Sequence, residues 1–138
     1  MKNLLSKISQ LTLIAATMFF LCAAANEVAP GVWLSNNGAY RVSFASEVAP
    51  LPLRTSHQWT LFILTAARAP VENATIEIHG YHPASRQILP RVTYISPHMG
   101  RGAYQVDNMY FDRPGEWELN IVISNGTTVD AALIPITI

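Results

Sequence analysis

Histidine and methionine are the side chains of this sequence best placed to do chemistry. They are His57, His79, His82 and His98, with Met99 and Met109. Imidazole nitrogen and thioether sulfur are donors that suit copper. His79 and His82 flank the start of a long Pro-containing segment, and His98-Met99 sits in another turn. A β-sandwich gathers loops from different hairpins at one end. His57, His82, His98 and Met99 are therefore the candidate metal set, although no spacing rule forces them together. Solvent-exposed loop histidines are the competing reading. Met109 falls inside an apolar run and reads as core filling.

Other chemistries find less support. Glu116 and Glu118 alternate on one strand and share its outer face, where two carboxylates could exchange protons; a solvated strand face explains the same spacing. Ser, His and Asp occur, but no nucleophile elbow or phosphate-binding loop accompanies them. The expectation is a chain with no catalytic residues. Nine basic residues balance nine acidic ones, which excludes a broadly basic nucleic-acid binder. Trp59 and Trp117 sit centrally in strand-like runs and read as core anchors. Trp33 lies outside any clear strand.

The first part of the 138 residues reads as an export signal. Lys2 and Lys7 supply a positive region, residues 11–25 are apolar apart from Thr12 and Thr17, and Ala23-Ala24-Ala25 offers a small-residue cleavage site. Residues 1–25 are read as a signal-peptide helix, and residues 26–138 as one exported domain in the periplasm or another extracytoplasmic space. The alternative is an uncleaved segment anchoring the domain to the inner membrane, which needs about 20 apolar residues. Cys22 as a lipid carrier is disfavoured because Leu21, rather than a small residue, precedes it. Cleavage removes both lysines and the only cysteine, leaving seven arginines against nine acids and a charge of −2. A domain without thiols performs no disulfide exchange.

The remaining 113 residues, the chain less its first 25, suit one β core. Seven strands are expected, over 40–45, 57–65, 74–79, 91–96, 103–111, 116–123 and 128–138. In the sixth, Trp117, Leu119, Ile121 and Ile123 alternate with Glu116, Glu118 and Asn120. The far end of the second, with Phe62 and Leu64, is expected to be buried on both sides. Residues 80–90 read as a long loop, Asp112-Arg113-Pro114-Gly115 as a turn, and Asn125-Gly126 as a tight hairpin turn. Pro135 marks an edge strand or a bulge. The pattern predicts an all-β antiparallel sandwich.

An ordered set of short motifs spans this domain. They are Asn37-Gly38-Ala39-Tyr40-Arg41-Val42, Pro50-Leu51-Pro52-Leu53, His57-Gln58-Trp59-Thr60-Leu61, Pro90-Arg91-Val92, Gly102-Ala103-Tyr104-Gln105-Val106, Met109-Tyr110-Phe111 and Pro114-Gly115-Glu116-Trp117-Glu118-Leu119. In order and spacing they resemble the YtkA-like/FixH-like domains of bacterial envelopes. The resemblance implies an immunoglobulin-like sandwich with a role in copper handling or haem-copper oxidase assembly, and copper as the cofactor. The family's metal loop carries Gly-Met-Pro and then two histidines. Here His82 stands at the methionine position, Ser85 and Gln87 stand where the histidines would be, and Arg113 replaces a later methionine. A metal-free interaction or structural domain, with an envelope protein as partner, is the alternative.

Overall fold

Strand pairing begins with the inward stripe that the alternation marks out. A computed structural model describes residues 31–91, 93–97 and 100–138. It holds nine strands: β1 (Trp33–Leu34), β2 (Tyr40–Ser46), β3 (His57–Thr65), β4 (Thr75–His82), β5 (Gln87–Ile88), β6 (Tyr94–Pro97), β7 (Ala103–Met109), β8 (Glu116–Ser124) and β9 (Val129–Thr137). They form two antiparallel sheets, one ordered β1-β2-β3-β7-β6 and the other β5-β4-β8-β9. The expected all-β sandwich is what the chain adopts. The signal segment 1–25 lies outside the described residues.

The core lies between the sheets. Trp59, Leu61 and Ile63 of β3 and Tyr104 and Val106 of β7 meet Trp117, Leu119, Ile121 and Ile123 of β8 and Ala132 and Ile134 of β9. Period-2 alternation turns each set to one face. Each large side chain buried here stabilises by roughly 1.5–3 kcal/mol relative to exposure. Pro135 sits in an edge strand, as its missing N–H requires. Asn125 closes the β8–β9 hairpin by accepting at Oδ1 from the Thr127 and Thr128 N–H groups.

Several expectations are corrected. Two short strands, β1 and β5, join the seven, and Trp33 stacks from β1 onto Phe44 at 5.8 Å between ring centroids. Residues 80–90 are not all loop: β4 runs on to His82 and pairs with Gln87-Ile88. Gly80 permits this because Leu89 packs where a side chain would stand. Phe62 is exposed, so the far end of β3 is buried on one side only.

One flank of the sandwich is stitched shut. Asp130 of β9 accepts from the Ser35 hydroxyl, from the Asn37 N–H and side-chain amide, and from the Ala39 and Ala131 N–H groups. Burial alone would raise its pKa, but these hydrogen bonds outweigh burial and hold it below the ordinary value. Asn36 N–H reaches the Ala131 carbonyl, and the Tyr40 hydroxyl donates to the Thr128 carbonyl. The β1–β2 connection thus covers β9. The opposite flank, between β4 and β6, has no such cover among the described residues.

Candidate functional site: a histidine-flanked aromatic end and an open groove

At one end of the sandwich an aromatic chain links the two sheets. Phe44 stacks on Trp59 at 4.2 Å, Trp59 meets Phe111 at 6.1 Å, Phe111 meets the edge of Trp117 at 5.4 Å, and Trp117 meets His82 at 4.9 Å. His57 joins from β3, 6.0 Å from Phe111 and 6.1 Å from Trp59. His57 and His82, two of the four metal candidates, therefore flank one cluster from opposite sheets. Both are buried, at 4% and 5% exposure, so neither is a solvent-exposed loop histidine.

A β-bulge builds the His57 side. His57 pairs with Met109 while Trp59 pairs with Val106, so β7 spends one more residue than β3 across this interval. Asn108, at φ 64°, lies within that interval. The bulge breaks the alternation, so Val106 and Met109 are both fully buried. Regular alternation would have turned Asn108 inward instead.

The two histidines differ in their lone pairs. His57 Nδ1 lies 3.0 Å from the Thr55 carbonyl, which can only accept, so Nδ1 carries the proton. That leaves the lone pair on Nε2, which is buried without a partner among the described residues, as is Trp59 Nε1. His82 is fully committed. Its Nε2 donates to the Pro114 carbonyl at 3.0 Å, and its Nδ1 accepts from the Ser85 hydroxyl at 2.8 Å and the Ser85 N–H at 3.2 Å. Gly115, at φ 114°, passes so close that a Cβ would lie 2.9 Å from His82 Nε2. Trp117 Nε1, in contrast to Trp59 Nε1, donates to the Arg113 carbonyl. Arg113 also pairs with Asp112 at 2.9 Å, and that hydrogen bond holds the Asp112 carboxyl below its usual range.

His98 and Met99 lie outside the described residues. Their described neighbour Pro97 pairs with Tyr104, toward the other end of β7 from Met109. Among the described residues no three His, Cys, Asp or Glu side chains gather as a metal site. Glu116 and Glu118 are both exposed on the outer face of β8, opposite Thr137 and Pro135.

The open flank carries a groove of about 370 Å³, lined by β4 from Ile76 to Gly80, by Ile88, Leu89, Arg91 and Thr93, and by Ile95 of β6. Arg91 is held over the Tyr110 ring at 3.9 Å. Ile88 and Tyr94 stand exposed beside it, at 75% and 66%. Sequence reading missed this groove because neither β5 nor the extension of β4 carries an alternating apolar signal of its own.

Compared with family models, with curated proteins and with solved structures, the chain matches none.

Proposed function

We propose that this chain is a non-catalytic, exported accessory domain of the bacterial envelope that works by binding another protein chain along the open flank of its sandwich. The observation that carries this reading is the asymmetry of the two flanks. One is stitched by Asp130, whereas the other leaves a largely aliphatic groove along β4, which among the described residues pairs with β5 only at Tyr81 and His82. Such edges accept extended segments by main-chain hydrogen bonding. The signal-like N-terminus supports export, and the motif order resembling YtkA-like/FixH-like domains supports an immunoglobulin-like sandwich. A photo-crosslinking residue at Ile88, beside the groove, should yield a discrete adduct in cells. The same residue at Leu34, on the far edge, should not. Equal labelling at both positions, or none at Ile88, would overturn the reading.

Copper handling is the second reading, favoured by a His57 Nε2 that has no partner among the described residues, on the strand position paired with the buried Met109. That pair fits a soft monovalent ion by donor type. His82 does not fit, because both of its nitrogens are already hydrogen-bonded. Bound copper would supply a redox-active or transferable ion, and His57 would hold it from within the aromatic cluster. Anaerobic Cu(I) titration against a competing chelator should show binding that His57→Leu removes and His82→Asn retains. Absence of binding to the parent chain would leave the protein-binding reading alone.

A further inference from the structure

The groove of the open flank is short and stopped at one end. Leu89 N–H donates to the Gly80 carbonyl at 3.1 Å, and the Leu89 side chain packs where a side chain on Gly80 would stand. Leu89 therefore holds the place of a neighbouring strand opposite Gly80. What stays open beyond it runs back along β4 to Ile76, lined across from the strand by Thr93 and Ile95. Ile78, Leu89 and Ile95 are part-buried against the core and form an aliphatic floor with Ile76. Ile88 rims it and, at 75%, is the most exposed large apolar side chain among the described residues. Four residue steps of strand span about 14 Å, the length of an extended aliphatic chain of roughly twelve carbons. The volume of about 370 Å³ falls in the range of roughly 300–1,000 Å³ that small ligands occupy.

Charge selects the head of such a chain. Glu77, His79 and Arg91 are the charged or titratable residues lining the groove. Glu77 and His79 pair with each other at 3.1 Å, and alternation sets them on the outer face of β4, away from Ile76 and Ile78. Arg91 has no acid partner, since the ion pairs among the described residues are Glu77–His79 and Asp112–Arg113. Its guanidinium carbon is held 3.9 Å from the Tyr110 ring centroid. A guanidinium stacked on a ring uses one face and keeps its edge N–H donors for a planar anion. We infer that the groove binds the anion of a single-chain aliphatic carboxylic acid. The carboxylate sits on Arg91, and the chain runs over Leu89 and Ile78 toward Ile76 and Ile95. The inference rests on reading the open flank as a binding surface and goes beyond a protein partner. The occupant is a free acid, because one arginine matches one carboxylate, whereas a lipid surface calls for a basic cluster.

The experiment is isothermal titration calorimetry with dodecanoate, kept below its micelle-forming concentration, on the protein produced from its full-length sequence. Binding should saturate at one dodecanoate per chain. Dodecyltrimethylammonium, with the same tail and the opposite charge, should bind at least about tenfold more weakly. Arg91→Gln should weaken dodecanoate by roughly tenfold and leave the uncharged dodecanol unchanged, which shows that the variant keeps its groove. Arg86→Gln removes an exposed arginine from the nearby β4–β5 turn and should change neither. Absence of saturable dodecanoate binding overturns the inference. So does equal binding of the ammonium, which is detergent adsorption, or an Arg91→Gln variant that binds dodecanoate as the parent does. If the Ile88 crosslink captures a protein in that event, the open flank remains a protein-binding surface and only the acid is lost. Saturable dodecanoate binding without an Ile88 adduct keeps the ligand site and removes the protein partner.

Discussion

His57 and Met109 are cross-strand partners, and the bulge in β7 is what makes them so on the core side. The bulge converts a strand end into a buried imidazole beside a buried thioether, with the ring proton fixed on Nδ1 by the Thr55 carbonyl. Met109 should accordingly be sensitive to size more than to polarity. Met109→Leu should change stability by less than about 1.5 kcal/mol, whereas Met109→Ala should cost about 2–5 kcal/mol. Urea denaturation of the two variants measures the difference; similar losses in both would mean the site has no room for a branched side chain.

His82 and Gly115 should be energetically coupled. The ring ties the end of β4 to the segment before β8, and Gly115 lies against it. His82→Ala should cost about 2–4 kcal/mol by opening a cavity and unpairing Ser85 and Pro114. Gly115→Ala should cost at least about 1 kcal/mol from its positive φ alone, with the clash against Nε2 added. A double-mutant cycle should show the second loss shrinking once His82 is gone. Strict additivity would mean that only backbone strain acts at Gly115.

Acid stability should depend on Asp130. Its carboxyl is held below the unfolded value of 3.8, so its stabilisation is full above that value and is lost as pH falls through the folded-state pKa. Thermal unfolding should be flat on this account from neutral pH to about 5 and should fall steeply below about 4. Asp130→Asn should lower stability at neutral pH, since its amide cannot accept at both atoms, and should flatten the acid slope. An unchanged slope in the variant would assign acid sensitivity to other carboxylates, among them Asp112.

How much of this was readable beforehand follows from what alternation can encode. β8 was fixed by Trp117, Leu119, Ile121 and Ile123 against three polar neighbours, and β9 by the turn at Asn125 and the edge signal of Pro135. The sandwich followed from those. The site did not, because its makers break the alternation. The bulge at Asn108 inverts the facing of Met109, which no period-2 pattern anticipates. His82 looked like a loop ligand because Pro83 follows it, whereas Gly80 lets β4 continue and buries the ring. The groove depends on which strands become edges, and edge order is a property of the whole topology.

The contrast between the two buried histidines gives the last prediction. His57 keeps a buried nitrogen with no partner among the described residues, a costly arrangement that packing alone does not require. Replacing it with an apolar side chain of similar volume removes that cost, keeps apolar packing against Phe111 and Trp59, and loses the hydrogen bond to the Thr55 carbonyl. His57→Leu should therefore leave stability within about 1 kcal/mol of the parent or raise it. His82→Leu, which strands the Ser85 and Pro114 groups, should lose about 2–3 kcal/mol. Chemical denaturation of both variants decides the matter. A stable His57→Leu variant would mark His57 as a residue kept for binding rather than for folding. A loss as large as that of His82→Leu would make both rings structural and leave the open flank as the place to look for function.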